Sequence, residues 1–401
     1  MTTTDDATPE QRRHEPAAVQ QPRGPGADAL HAAQALSPMI AARAHDIEVA
    51  RRLPRDVLDQ LISAGCFRML LPESHGGAGL DLPSAMRVIE ELSRSDASVG
   101  WAVGIGASLW CDLVGLPRSV FDALYAGGPD TFVAGVFSPA GVAVPADGGY
   151  RVRGRWGFAS GIDHCAWLYG NCVEDGDGSS SLRTVVFRRD EVEVEDTWHV
   201  VGLRGTGSHH FRADDVVVPT ERTFPTFGAD PCVDVPLVRV PQPAMYSLEI
   251  AVVALGTAQG ALDDLIAVAT GKVPLLAKAP LAAHPPFQLE LGTMQTELRA
   301  ARALLYEEAG ATWRGAEEGS LLSLEQRARV RAAAAWATAR AADVVTGAYR
   351  AAGSTSVYDE SRLQRRLRDV HMITQHFLVK AGTLEAAGAV FAGREPDVAV
   401  F

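Results

Sequence analysis

Cysteine is scarce and poorly spaced for chemistry. Five thiols, at Cys66, Cys111, Cys165, Cys172 and Cys232, form no CxxC pair and no Cys/His zinc spacing. An odd number supplies no paired disulfide framework, so a reduced, cytoplasmic protein is expected. Familiar catalytic strings are missing too: there is no GxGxxG, GxxxxGK[ST], GxSxG or HExxH. Positive charge is also short. The 37 Lys and Arg are outnumbered by 49 Asp and Glu, a formal net charge of −12. That excludes the clustered cationic footprint nucleic acid demands and disfavours an anionic membrane surface. No uninterrupted apolar run reaches the roughly 20 residues of a membrane span; the closest, 99–111, stops at Asp112. The opening string MTTTDDATPEQRRHEP lacks the apolar segment of a secretory signal.

What is present is ordinary globular material: 401 residues, 47% apolar, enough for two or more layers of core. Residues 1–27, rich in Pro, Gln and Arg, read as a disordered leader. Residues 28–129 follow a helical pattern, with Pro54 opening one helix and Gly65 ending it. The string SVGWAVGIGASLW (98–110) is apolar all round, the mark of a helix buried on every side. Residues 130–225 change period, with alternating segments at 150–153, 191–195 and 211–213 and short β-branched runs between glycine turns. From 226 to 401 helices return, over 246–267, 287–313, 321–352 and 362–391. The expectation is a mainly α protein with an inserted β-domain and a C-terminal four-helix bundle.

Three places could carry chemistry. GLRGTG (202–207) lacks the strand–helix context of a dinucleotide fingerprint and reads as a turn between strands. In WGFASG (156–161) two aromatics and a hydroxyl sit at a strand end, which suits a flat heteroaromatic ring; core aromatics followed by an ordinary turn are the simpler explanation. In the last helix Arg368, Asp369, His371, Gln375 and His376 gather within two turns, where a solvated face is the simpler alternative. His371 and His376, five residues apart, fall roughly 140° apart on one helix, and His209 and His210 point to opposite faces of a strand. Neither pair makes a metal site, and none is expected.

LPESHGGAGL (71–80), GLRGTGS (202–208) leading to Val218–Pro219, and Arg368–Asp369, in this order, resemble the acyl-CoA dehydrogenase fold. The resemblance covers roughly residues 28–395. DASVGW (96–101), WGFASG with DHCAW (163–167), GTGS (205–208) and RLRDVH (366–371) followed by His376 bring it closer to the reduced-flavin-dependent two-component monooxygenases. The resemblance implies an oxygenase component that takes reduced FMN or FAD and O2, forms a C4a-peroxyflavin, and hydroxylates or N-oxygenates a small aromatic or polyketide-like substrate. It implies a separate NAD(P)H-flavin reductase and a homotetramer. Ser160 would lie near flavin N5, with Trp156 and Phe158 lining the ring. Phe137 and Ser138 would belong to an earlier flavin loop, and Gly353 and Ser354 to a stretch reaching a neighbour's flavin phosphate. His376 would face the substrate. Near the arginine that relatives place on the flavin phosphates, this chain has Lys272 and Lys278.

A dehydrogenase needs a carboxylate base. Nine residues after Arg368, where many acyl-CoA dehydrogenases carry Glu, stands Phe377. Glu249 resembles the base position of branched-chain enzymes and keeps an α,β-desaturase open as the alternative. A non-catalytic scaffold is a third.

Overall fold

A computed structural model describes residues 24–175, 181–394 and 396. Most of the expected leader, residues 1–23, lies outside them, and its last residues open the first helix. The N-terminal helices are α1 (Pro25–Ala50), α2 (Arg55–Ser63), α3 (Leu82–Ser95), α4 (Ala97–Ser108) and α5 (Arg118–Leu124). Local chemistry sets their ends. Asp81 accepts the Ser84 amide at the start of α3, and Asp96 closes α3 and accepts the Val99 amide to open α4. Gly65 takes φ 75° just past α2.

The middle of the chain forms one sheet, ordered β5-β6-β2-β1-β3-β4-β7. Its strands are β1 (Val133–Ala146), β2 (Gly149–Ala159), β3 (Trp167–Glu174), β4 (Leu182–Arg188), β5 (Glu193–Glu195), β6 (His209–Pro219) and β7 (Thr223–Pro225). All neighbours are antiparallel except β1 and β3. The alternation read over 191–195 shortens to β5, because a 3₁₀ turn at Arg189–Glu191 occupies its start. GLRGTG is indeed a loop between strands, β5 and β6, and not a dinucleotide turn.

The C-terminal helices are α6 (Gln242–Gly271), α7 (Pro285–Glu317), α8 (Leu324–Ala352), α9 (Arg362–Ile373) and α10 (Gly382–Phe391). Two expectations change here. Helix α6 is, by length and mean hydropathy, apolar enough to cross a membrane, although Glu249 and other polar residues interrupt any pure apolar run. Much of that apolar stretch, 72%, is buried inside the protein against α3, α4, α7, α8 and α9, as in a core helix. The continuous helix expected over 362–391 is broken. Thr374 Oγ1 donates to the His371 carbonyl (2.7 Å), and the Leu378 amide donates to His376 Nδ1 (3.3 Å). These side chains take backbone partners that a helical ladder would otherwise use.

Candidate active site

The end of β2, the loop before β6 and the first turns of α4 meet at Ser160. A register shift between Trp156 and Ala159 interrupts the pairing of β2 with β6. Phe158 stands in it at φ 70°, rare for a bulky residue. The bulge reverses the alternation, so Phe158 swings out and is 70% exposed while Ala159 turns inward. Gly161 follows at φ 73°, where a Cβ would also strike the Phe132 ring at 2.4 Å. Its amide donates to the Thr206 carbonyl (2.9 Å), stitching the Ser160 turn to the loop before β6.

Ser160 is buried and engaged on two sides. Its Oγ accepts from Trp101 Nε1 of α4 (3.0 Å) and lies 2.8 Å from Ser208 Oγ. Ser208 Oγ is 2.7 Å from Thr206 Oγ1, which donates to the Leu203 carbonyl (2.9 Å). Leu203, at φ 50°, gives its amide to Asp369 Oδ1 of α9 (2.7 Å). Arg368 pairs with Glu48 and donates to the Val201 carbonyl (2.7 Å). The Arg368–Asp369 pair therefore clamps the loop that backs Ser160. Burial pushes the Asp369 carboxyl up to about 7.

Trp101 also turns an edge toward His376, with ring centroids 5.7 Å apart. His376 stands beyond the end of α9, so it is not helical and not on the same helix as His371. Burial, helped by the positive charge of Arg331 on α8, drives its pKa down to about 4. Its Nδ1 accepts the Leu378 amide, so the neutral ring carries its proton on Nε2. His371 is exposed and reaches only Thr346 Oγ1, at 3.1 Å, among the described residues.

Other expected residues are placed differently. Trp156 does not line a ligand surface: it is fully buried, stacked on Phe211 (4.9 Å), with Nε1 donating to the Asn171 carbonyl. Phe137 and Ser138 occupy a bulge in β1, where pairing with β3 skips from Val136 to Pro139. Ser138 is exposed there, beside β2 in the sheet. Gly353 and Ser354 are not brought to Ser160. They lie at the C-terminal end of α8, where Lys272 Nζ donates to the Ala352 carbonyl (2.6 Å). Arg331 is 21 residues back along that helix, roughly 30 Å at 1.5 Å per residue.

Glu249 is buried on α6, accepts Ser108 Oγ (2.6 Å), and is pushed up to about 8 by burial and the nearby Asp112. Asp112 itself is raised to about 6 by burial, against hydrogen bonds from Tyr169, Tyr246 and Gln242. A carboxyl raised toward neutral pH suits a general base as well as a buried structural acid, so this shift leaves the desaturase alternative to the comparison with relatives. Trp101 and the Thr206–Ser208 pair are the residues that sequence reasoning quoted in motifs without assigning a role. A single aromatic among the small and aliphatic residues of α4 was the available signal.

A helical N-terminal part, an inserted sheet and a C-terminal bundle, joined at this buried hydroxyl cluster, define the acyl-CoA dehydrogenase class. Residues 248–381 match its C-terminal domain and 30–115 its N-terminal domain. The chain is 33% identical to an indole-3-acetate monooxygenase of Pseudomonas putida over 88% of its length and 91% of that protein. Among solved structures it resembles the HsaA monooxygenase of Mycobacterium tuberculosis (TM-score 0.87, 26% identity, 94% of this chain, 100% of that one). It also resembles XiaF from Streptomyces in complex with FADH2 and glycerol (TM-score 0.88, 25% identity, 94% and 98%). The chain belongs to the acyl-CoA dehydrogenase family, within its flavin-dependent monooxygenases.

Proposed function

We propose that this monooxygenase is the oxygenase half of a two-component system. A separate NAD(P)H-flavin reductase delivers reduced FMN or FAD, and the substrate is a small aromatic or polyketide-like molecule hydroxylated or N-oxygenated at the Ser160–Trp101–His376 cluster. Reduced flavin supplies two electrons to O2, one oxygen atom entering the substrate and the other leaving as water. The observation that carries this reading is the joining of three separate elements at one point: Ser160 at the end of β2, Trp101 on α4 and His376 after α9.

The residues present fit a flavin. Ser160 keeps a free acceptor position, and the exposed Phe158 ring beside it is apolar surface that a flat heterocycle would cover. Ser160 would sit toward N5, with Phe158 and the bulged Phe137 and Ser138 along the ring. Trp156 stays in the core of the sheet, stacked on Phe211. Gly353 and Ser354, remote from Ser160, suit the flavin phosphates of a second copy of the chain, with Lys272 as the cation at that end. His376, neutral and with a proton on Nε2, would donate to a substrate oxygen or nitrogen; toward a phenol this stabilises the phenolate and orients the ring. Trp101, between Ser160 and His376, sets the spacing of the two and helps to exclude water.

The names of relatives point to aromatic substrates: an indole acetic acid for one, resorcinol for another. The test is an assay with a generic flavin reductase, NADH and a panel of indoles and phenols, alongside anaerobic titration with reduced FMN and FAD. Reduced-flavin binding and an oxygenated product are expected. Failure to bind either reduced flavin would overturn the reading.

A further inference from the structure

The hydroxyls behind Ser160 form a line whose two ends have no freedom. Trp101 Nε1 can only donate, and it donates to Ser160 Oγ. The Leu203 carbonyl can only accept, and it takes the Thr206 hydroxyl as well as Trp198 Nε1 (3.1 Å). Between these ends, Ser160, Ser208 and Thr206 each hold one proton. Three protons serve three hydrogen bonds, and one direction alone satisfies them all: Ser160 to Ser208, Ser208 to Thr206, Thr206 to Leu203. The three side chains are each less than a tenth exposed, so bulk water does not scramble the order. The Leu203 end is anchored by Asp369, which keeps its carbonyl in place. Ser160 thus commits its proton away from the exposed side and has only a lone pair left to offer.

We infer that Thr206 and Ser208 are positioning residues that make Ser160 an acceptor only, so that the site favours reduced flavin over oxidised flavin. Reduced flavin carries a hydrogen on N5; oxidised flavin carries a lone pair there, which would face a second lone pair. The discrimination rests on the proposed placement of Ser160 against N5. It lets the protein take reduced flavin from a reductase and release the oxidised product, with redox preference set by residues that do not touch the cofactor.

The experiment is anaerobic equilibrium titration of the purified protein with reduced and with oxidised FMN and FAD, read as the ratio of the two dissociation constants. The wild type is expected to bind reduced flavin at least tenfold more tightly. Ser208→Ala removes the acceptor for the Ser160 proton, which is then free to donate to oxidised N5, and the ratio should fall by about three- to tenfold. Thr206→Val should do the same by freeing the Ser208 proton to turn back on Ser160. Thr206→Ser keeps the hydroxyl and should keep the wild-type ratio, which separates the proton order from mere packing. For a two-electron couple, a tenfold fall in ratio moves the potential of bound flavin by about 30 mV. A ratio unchanged in Ser208→Ala and Thr206→Val, but altered in Ser160→Ala, would overturn the relay while leaving Ser160 at the flavin. No change of ratio or affinity even in Ser160→Ala would overturn the placement of Ser160 itself.

Discussion

Ser160 and His376 do different work although one tryptophan touches both. Removing the Ser160 hydroxyl leaves Trp101 Nε1 without its acceptor and Ser208 Oγ without its donor, and deletes the lone pair toward the ring. One such hydrogen bond contributes about 1–2 kcal/mol, roughly tenfold in rate. Ser160→Ala should raise hydrogen peroxide released per NADH consumed by about that factor, measured with an identified substrate; unchanged leakage would reduce Ser160 to a turn residue. His376→Ala should keep flavin binding but cut product per NADH at least tenfold, while His371→Ala, exposed and bonded to Thr346, should stay near wild type. Because His376 titrates at about 4, it stays neutral between pH 6 and 8. Coupling should show no His376-dependent step in that range. A step near pH 6.5 that His376→Ala abolishes would contradict the donor role. Glu249 permits a stability test with a definite sign. Its folded pKa of about 8 lies above the 4.5 of a free carboxyl, so its contribution is lost as pH rises from about 4.5 through 8. Glu249→Gln, which mimics the acid form, should leave melting near pH 5 almost unchanged and raise it at pH 9, by at most about 5 kcal/mol of stability.

At the scale of elements, two irregularities make the site. The bulge in β2 turns Phe158 outward, and the break after α9 carries His376 off the helix toward Trp101. Both sit where regular periodicity would have aimed the side chain elsewhere. The loop before β6 is held to α9 by two hydrogen bonds: Asp369 accepts the Leu203 amide, and Arg368 donates to the Val201 carbonyl. Asp369→Ala should lower stability by about 1–3 kcal/mol and loosen the ordering of Thr206, seen as a lower melting temperature together with a reduced preference for reduced flavin. Asp369→Asn retains an acceptor oxygen and should lose less of both. Equal losses in the two variants would mean that the carboxylate charge, and not the hydrogen bond, holds the loop.

For the whole molecule, assembly is the open quantity that function touches. Leu275 and Leu276, in the loop between α6 and α7, are 93% and 96% exposed. Gly353 and Ser354 stand well apart from Ser160 in the same chain. The proposed homo-oligomer would cover such apolar surface and would bring a second copy's α8 end to the flavin phosphates. Light scattering at micromolar concentration should give a dimer or, as the family resemblance implies, a dimer of dimers. Dilution to monomer should weaken flavin binding, and a monomer with full flavin affinity would disprove the shared site.

The order of helices, strands and helices was legible in the sequence because it rests on local chemistry: period, capping Asp81 and Asp96, and Gly65 and Gly161 at positive φ. The strings around Ser160 and Arg368–Asp369 identified the family for the same reason, being short and contiguous. Whether an aromatic faces the core or a ligand was not legible, since the alternation that buries Trp156 fails two residues later, at Phe158 in the bulge. The partners of Ser160 and Leu203 lie 59 and 166 residues away in Trp101 and Asp369, and no window of sequence spans those distances. Nor could composition assign His376 a pKa of about 4 or Glu249 one of about 8, because burial sets both. Desolvation belongs to the packed surroundings of a group, and only the tertiary structure decides those.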